Sequence, residues 1–433
     1  MNRSWALGDL LSTIFERRAA RDDGAGSQPL PQMCRALLSG RGEVSGIKLA
    51  TQVLSRYRDA DADERLAFFR FLATDLDVDA DAVETAARAY RDAPDTAGLE
   101  RLMQAAEPPR QELLRRLNQA PGGTADLVAM RVALMQAARD DADLARVDLD
   151  FRHLFVSWFN RGFLVLRRIT WESPANILEK IIQYEAVHEI HSWADLRLRL
   201  EPPDRRLFAF FHPAMPDDPL IFVEVALTRG IPGAIQPVLA QDRVPLRPDE
   251  ADTAVFYSIS NCQSGLRGIS FGNSLIKQVV EVLSRDVPNL SAYVTLSPIP
   301  GLADWLRAEP GTAPLSDAEA EPPADLLREA AALYLLDAKA PDGQPRDPVA
   351  RFHLGNGARV HDIHAGADLS PKGRAQSCGA MVNYLYEIDR LEQNHEAFAS
   401  TGAVAASKPI LALAKDARAR RTKDKTNHGQ HSL

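Results

Sequence analysis

One segment limits the possible folds of this chain more than any other. Ala254 to Ser260 (Ala-Val-Phe-Tyr-Ser-Ile-Ser) reads as a strand and is followed by a glycine-rich stretch. Residues from about Asn273 to Arg285 carry helical periodicity, and Ala292 to Leu296 reads as a further strand. Strand, helix and strand in that order predict a βαβ unit, and with it a sheet that contains a parallel pair. Two more apolar runs precede it, Leu207–Phe211 and Leu220–Leu227, joined by His212-Pro-Ala-Met-Pro-Asp-Asp-Pro219. A Pro/Asp turn between such runs predicts an antiparallel hairpin.

Residues 1 to about 150 have a different texture. Leu66, Phe69, Ala73 and Leu76 recur at helical spacing, as do Leu113, Leu114 and Leu117 after Pro108-Pro109. Pro94, Pro108-Pro109 and Pro121-Gly122-Gly123 punctuate the run, and Thr124 stands where it can cap a helix. The length agrees with a division, because 433 residues exceed one compact core. The predicted fold class is multidomain α+β, with an all-helical domain over residues 1–150 and a mixed α/β domain over residues 151–433. Ala308–Pro323, rich in Pro, Ala and Glu, reads as an exposed insertion ahead of a helix containing Leu326–Leu336. From about Lys408, with Arg418, Arg420, Arg421, Lys423 and Lys425, the chain reads as a basic, disordered tail.

Composition excludes some partners. The 51 Lys+Arg against 59 Asp+Glu leave a formal charge of −8, which rules out a generally basic, nucleic-acid-coating surface. The most apolar window, from Phe151 to Arg168, is interrupted by Arg152, Arg161 and Arg167, whereas a spanning helix needs about 20 predominantly apolar residues. Neither a nucleic-acid nor a membrane partner is expected. The N-terminus meets charge too early for a secretory signal. Cys34, Cys262 and Cys378 are too few and too scattered for a disulfide framework or a zinc cluster, so a reducing cytoplasm is expected. His188-x-x-His191 and His361-x-x-His364 lack the H-E-x-x-H arrangement and nearby cysteines, and no metal site is expected.

The chemistry points to three places. In Gln263-Ser-Gly-Leu-Arg-Gly-Ile-Ser-Phe-Gly-Asn273, three glycines lie between a strand and a helix, where free backbone N–H groups and the helix dipole favour a phosphate. Arg267 adds a charge-assisted donor; the plain alternative is a tight connection that needs positive φ. Within the same loop Gly268-Ile-Ser270-Phe-Gly272 matches the nucleophile elbow of α/β-hydrolases. That elbow needs its serine directly after the strand, and here the strand ends near Cys262. Ser297 opens Ser-Pro-Ile-Pro-Gly301 at the carboxyl end of a strand, and His353 lies in Phe352-His-Leu-Gly-Asn-Gly-Ala358, whose glycines suggest a close backbone approach.

Taken in order, these motifs resemble the malonyl-CoA decarboxylase family. The match rests on His212-Pro-Ala-Met-Pro, Phe256-Tyr-Ser-Ile-Ser260, Gly265-Leu-Arg-Gly268 with Gly272 and Leu275-Ile-Lys277, and Leu296-Ser-Pro-Ile-Pro-Gly301. It continues through Pro348-Val-Ala-Arg-Phe-His353-Leu-Gly-Asn-Gly-Ala358, Ser377-Cys-Gly379 and Asn383-Tyr-x-Tyr386, spanning most of residues 151 to 390. The resemblance implies a GNAT-like α/β domain and a helical N-terminal domain used in self-association, as a dimer or tetramer. It implies conversion of malonyl-CoA to acetyl-CoA and CO2, in fatty acid or malonate metabolism, with neither metal nor organic cofactor. It places the catalytic residues at Ser297 and His353 with Tyr386 in support, and CoA binding at Arg267, Gly268, Ile269, Ser270, Phe271, Gly272 and Asn273. Ser270 stands where animal members have a glutamate, and the chain ends His-Ser-Leu rather than Ser-Lys-Leu, which suits a bacterial cytoplasmic enzyme.

The implied reaction leaves an enolate on the thioester, so negative charge on its oxygen must be stabilised. His353 then protonates the carbanion as a general acid, which calls for a pKa near the working pH. The other activities compatible with the motifs are acyl transfer from an acyl-CoA to an amine, and hydrolysis through Ser270.

Overall fold

The computed structural model describes residues 28–40, 42–271, 275–309, 312–316 and 322–429. They form two compact units. The first takes in the chain as far as Leu164, together with His212–Pro216 and Gln263–Ser270. The second takes in Val165–Phe211, Asp217–Cys262 and the chain from Phe271 onward.

The first unit is helical. Its helices are α1 (Leu30–Leu38), α2 (Glu43–Asp59), α3 (Ala62–Thr74), α4 (Ala80–Asp92), α5 (Thr96–Ala106), α6 (Pro109–Asn118), α7 (Gly123–Ala137) and α8 (Leu144–Trp158). Asp61, Asp79 and Asp95 precede α3, α4 and α5 and accept backbone N–H bonds from their first turns, as short acidic caps do. Thr124 does not cap α7. That helix starts at Gly123 behind Gly122, whose φ is 74°, and a Cβ at Gly123 would stand 2.3 Å from the Leu117 carbonyl oxygen. The α6–α7 turn is therefore closed by glycine, and Thr124 instead donates to Asn118 Oδ1 at 2.8 Å. Helix α8 runs through position 150, because Phe151, Leu154 and Phe155 form its buried face. The apolar window that marks a change of texture in the sequence thus completes the helical unit.

The second unit is built on a mixed sheet of β1 (Val165–Ile169), β2 (Arg205–His212), β3 (Met215–Thr228), β4 (Thr253–Asn261), β5 (Ala292–Thr295), β6 (Ser297–Pro298), β7 (Arg359–His364) and β8 (Met381–Leu385). The strand order is β1-β2-β3-β4-β5-β8-β6, with β7 also on β8. The hairpin forms as expected but turns tightly, since β3 starts at Met215 and absorbs most of the Pro/Asp stretch. Parallel pairing of β4 with β5, with α11 (Leu275–Asp286) between them, realises the βαβ unit. Helices α9 (Ala175–Tyr184) and α10 (Trp193–Leu200) pack Ile177, Ile181 and Leu196 against Leu207, Phe211 and Phe222. Besides a single turn at Gln236–Leu239, the remaining helices are α12 (Leu302–Ala308), α13 (Ala324–Asp337), α14 (Pro348–Gly355), α15 (Pro371–Ser377), α16 (Leu391–Thr401) and α17 (Lys408–Gly429). The expected α+β architecture, a helical region followed by a mixed α/β domain, is the one the chain has.

One expectation fails at the C-terminal end. The stretch from Lys408 is helix α17, not a disordered tail. Ile410, Ala414 and Ala417 are buried on one side of it, and Arg418 and Arg420 pair with Asp337 and Glu329 of α13. A stripe of one isoleucine and two alanines is easily hidden among so many basic residues, yet it suffices to dock a helix. Of the expected insertion Ala308–Pro323, residues 310–311 and 317–321 lie outside the described residues.

One detail of the sheet matters for function. The β4–β5 ladder runs from Thr253/Ala292 to Phe256/Thr295, and Leu296 N–H still donates to Phe256 O at 3.0 Å. Beyond that point β4 continues to Asn261, while the other strand leaves it to pair Ser297 with Val382 of β8. Ser297 sits just past the last rung.

Candidate active site

Side chains two residues apart share a face of a strand. That spacing puts Thr295 with Ser297, and Tyr384 with Tyr386, and His353 meets both pairs. It lies in the last turn of α14, a helix started by Pro348 and capped by the buried Asp347, whose carboxylate accepts from Ala350 N–H at 2.8 Å. The imidazole Nε2 is 3.2 Å from Ser297 Oγ, and Nδ1 is 2.7 Å from the Tyr386 hydroxyl. Ser297 Oγ donates in turn to Thr295 Oγ1 at 2.9 Å. The Tyr384 ring stacks on the imidazole with centroids 4.7 Å apart. Ser297, His353 and Tyr386 are all buried.

The three positions expected to work together are thus joined by hydrogen bonds, but not with the expected acidity. Burial pushes the His353 pKa down to about 3, so the imidazole is neutral at the working pH. Burial also pushes the Tyr386 phenol well above its ordinary range. The site at rest is a neutral hydrogen-bond chain with no stored proton. Nor does Gly357, after His353, make room for a ligand. Gly357 has φ 84°, and a Cβ there would stand 2.2 Å from Leu391 O of α16, so its close approach is to the protein's own backbone.

The glycine-rich loop belongs to the helical unit. Gly265 is pressed against α7, where a Cβ would lie 2.1 Å from Val128 O, so packing accounts for this glycine. Gly268 has φ 78°, a conformation that disfavours side chains. The anchor is Arg131 of α7, a residue with no signal in the sequence. Its Nη1 donates to Gly265 O at 2.7 Å and to Arg267 O at 3.0 Å, and Asp148 of α8 pairs with its Nε at 2.7 Å. Held this way, the loop exposes Arg267, Gly268 and Ser270, buries Ile269 and leaves Phe271 half-buried. Gly272 and Asn273 lie outside the described residues.

A buried polar cluster beside β4 was also silent in the sequence. Glu185 accepts from His188 N–H at 2.7 Å and from the Ser258 hydroxyl at 2.8 Å. Burial, and then the neighbouring Glu224 carboxylate, push its pKa up to about 8. Glu224 itself is fully buried and holds Arg199 at 3.0 Å. The second histidine of the 361–364 pair, His364, bonds Asn383 Oδ1 at 2.6 Å.

Known proteins resemble this chain along most of its length. The family models described as the malonyl-CoA decarboxylase C-terminal and N-terminal domains match residues 162–322 with 311–424, and residues 76–159. The chain belongs to the malonyl-CoA decarboxylase family. The mitochondrial malonyl-CoA decarboxylase of Anser anser anser is 34% identical over 352 residues, 71% of this chain and 69% of the relative. That of Rattus norvegicus is 34% identical over 360 residues, 72% and 73% of the two chains. The crystal structures of malonyl-CoA decarboxylase from Rhodopseudomonas palustris and Agrobacterium vitis are each 51% identical. They cover 88% and 89% of this chain and 98% and 99% of their own, with TM-scores of 0.83 and 0.84.

Proposed function

We propose that the protein converts malonyl-CoA to acetyl-CoA and CO2, with Ser297, His353 and Tyr386 around the reacting atoms. One observation carries the assignment of residues. In a chain of this family, the serine and histidine that the motifs single out are hydrogen-bonded to each other in the interior. In the reaction the bond between the malonyl carboxylate carbon and the methylene breaks. Its electron pair enters the thioester as an enolate, and the carbon then takes up one proton.

The low basicity of His353 fits this sequence of events. An imidazole held neutral by burial cannot supply the proton until something offsets the burial. The malonyl carboxylate can do so. A negative charge about 4 Å away contributes about 4 kcal/mol at an effective dielectric near 20. That corresponds to about 3 pKa units, enough to offset most of the depression. His353 thus takes up a proton when the substrate arrives and delivers it after CO2 has left, while Ser297 orients the acyl group. The hydrolase alternative is disfavoured on two counts. Ser270 lies on the exposed loop well beyond the end of β4 at Asn261, and the partner of His353 Nδ1 is a tyrosine, not the carboxylate of a serine-hydrolase triad.

CoA binding is assigned to residues Arg267–Asn273, supported by the exposed Arg267 and Gly268 on a backbone fixed by Arg131. Self-association is assigned to the helical unit. Helices α4 and α5 form a hairpin in which Gly98 is the one buried residue, with Leu99 and Met103 exposed by 42% and 65%. The three cysteines are free thiols, which suits a reducing cytoplasm. Among the described residues, no helix is long and apolar enough to cross a membrane. The test is to incubate the purified protein with malonyl-CoA and follow acetyl-CoA and CO2. Formation of both without an amine acceptor is expected. Acetyl transfer that needs an amine, or free malonate and CoA, would overturn the reading.

A further inference from the structure

The hydrogen-bond chain at His353 does not stop at Ser297. Thr295, fully buried at the end of β5, accepts the Ser297 hydroxyl proton through Oγ1 at 2.9 Å. The same oxygen accepts the Tyr384 backbone N–H at 3.1 Å. Thr295 is itself tied to β8, because Asn383 Nδ2 donates to its carbonyl at 2.7 Å. The acceptor is therefore held from both its side chain and its backbone.

A serine hydroxyl has one proton. If it is directed at Thr295, Ser297 Oγ must act as acceptor toward His353, which requires the proton on Nε2. Nδ1 then accepts from the Tyr386 hydroxyl, its partner at 2.7 Å. All three bonds run in one direction, from Tyr386 to His353 to Ser297 to Thr295. We infer that Thr295 is a positioning residue for decarboxylation, which accepts the hydrogen bond of the Ser297 hydroxyl and so keeps His353 in the tautomer whose Nε2–H faces Ser297. Without this acceptor the serine proton turns toward Nε2, the ring proton moves to Nδ1, and the serine must turn away again before Nε2 can carry the proton that the carbanion takes up. The inference rests on the roles proposed above for Ser297 and His353.

The test compares Thr295→Val, which keeps the shape and removes the acceptor, with Thr295→Ser, which restores it. In full-length protein labelled with 15N-histidine, the ring signals of His353, assigned with His353→Gln, report the tautomer without any turnover. Expected are Nε2–H in the wild type and in Thr295→Ser, and a shift toward Nδ1–H in Thr295→Val. Loss of alignment in Thr295→Val should lower kcat for malonyl-CoA about 10- to 100-fold with KM within about twofold, and Thr295→Ser should recover most of it. Thr295→Val also deprives the Tyr384 N–H of its acceptor, and if it does not fold, Thr295→Cys, whose thiol is a weak acceptor, should fall between the other two. An unchanged tautomer with kcat within about twofold in the valine variant, or in the cysteine variant used in its place, overturns the inference. A wild-type protein that makes no acetyl-CoA overturns the functional reading instead, and the ring spectra then decide the question of Thr295 alone.

Discussion

The glycine-rich loop and the Ser297–His353 pair, to which we assign CoA binding and the chemistry respectively, are built in opposite ways. The loop is a stretch of backbone whose outer side faces solvent, and a single buried guanidinium, that of Arg131, fixes two of its carbonyls. The pair is a run of side chains closed off from water, in which each polar atom is oriented by the next. A backbone site tolerates changes in the side chains it displays but depends on what lies behind it. A buried side-chain site has no such slack, because low dielectric strengthens the bonds that are made and penalises those that are not.

The most direct way to break this contrast is at the buried pair. Ser297→Ala and His353→Ala should each lower kcat by about 10²-fold or more, within the 10²–10⁴ typical of general acid–base groups. Affinity for CoA itself should stay similar. Near-wild-type turnover in either variant would remove that residue from the mechanism.

Behind the loop, Arg131→Ala leaves Asp148 without its partner and frees two carbonyls. Breaking a largely buried ion pair should cost about 3–5 kcal/mol of stability, measured by denaturant unfolding. Where the protein stays folded, its affinity for CoA should also drop. Intact CoA binding in a folded Arg131→Ala protein would mean that loop shape is irrelevant. On the front of the loop, Arg267→Ala should raise KM for malonyl-CoA about 5- to 150-fold, the span of a lost charged hydrogen bond of about 1–3 kcal/mol. Turnover should be little changed, the signature of lost uniform binding.

Buried groups also set how stability responds to pH, and with opposite signs. Folded His353 and His188 bind no proton until about pH 3 and 4, whereas their unfolded imidazoles do so below about 6.5. Their contribution is complete above that pH and is lost as the pH falls. Glu185 keeps its proton in the folded state up to about pH 8, so its contribution is lost as the pH rises from about 4.5 toward 8. Glu185→Gln should reduce the loss seen in melting curves as the pH rises toward 8, leaving the part due to Asp347, which is pushed up to about 6, and the acid-side loss in place. The smallest effect belongs to Ser270→Ala, an exposed loop position, where turnover should stay within about twofold. A collapse as deep as that of Ser297→Ala would move the chemistry to the loop.

Much of this protein is decided locally, and local features are legible in sequence. The βαβ unit follows from Ala254–Ser260, the helix after it and Ala292–Leu296, because periodicity and β-branched runs report which face is buried. Ser297 and His353 were singled out by the resemblance of the ordered motifs around them to the malonyl-CoA decarboxylase family, not by their local contexts alone. The short strands β1, β6, β7 and β8 were not, since strands of two to six residues gain their identity from partners far along the chain. Helix α17 escaped for a related reason, its three-residue apolar stripe being legible only against α13.

What the sequence determined by itself was the division into helical and α/β parts, the order of the motifs, and the residue types brought to the site. Only the tertiary structure decided how those residues behave. Arg131 became the support of the loop, although Gly265 lies 134 positions further along. Burial turned His353 from an expected acid near working pH into a neutral ring, and Thr295 gained a role through a bond to the serine two residues away. Acidity and hydrogen-bond direction depend on desolvation and on partners brought together by folding, and no local pattern encodes either.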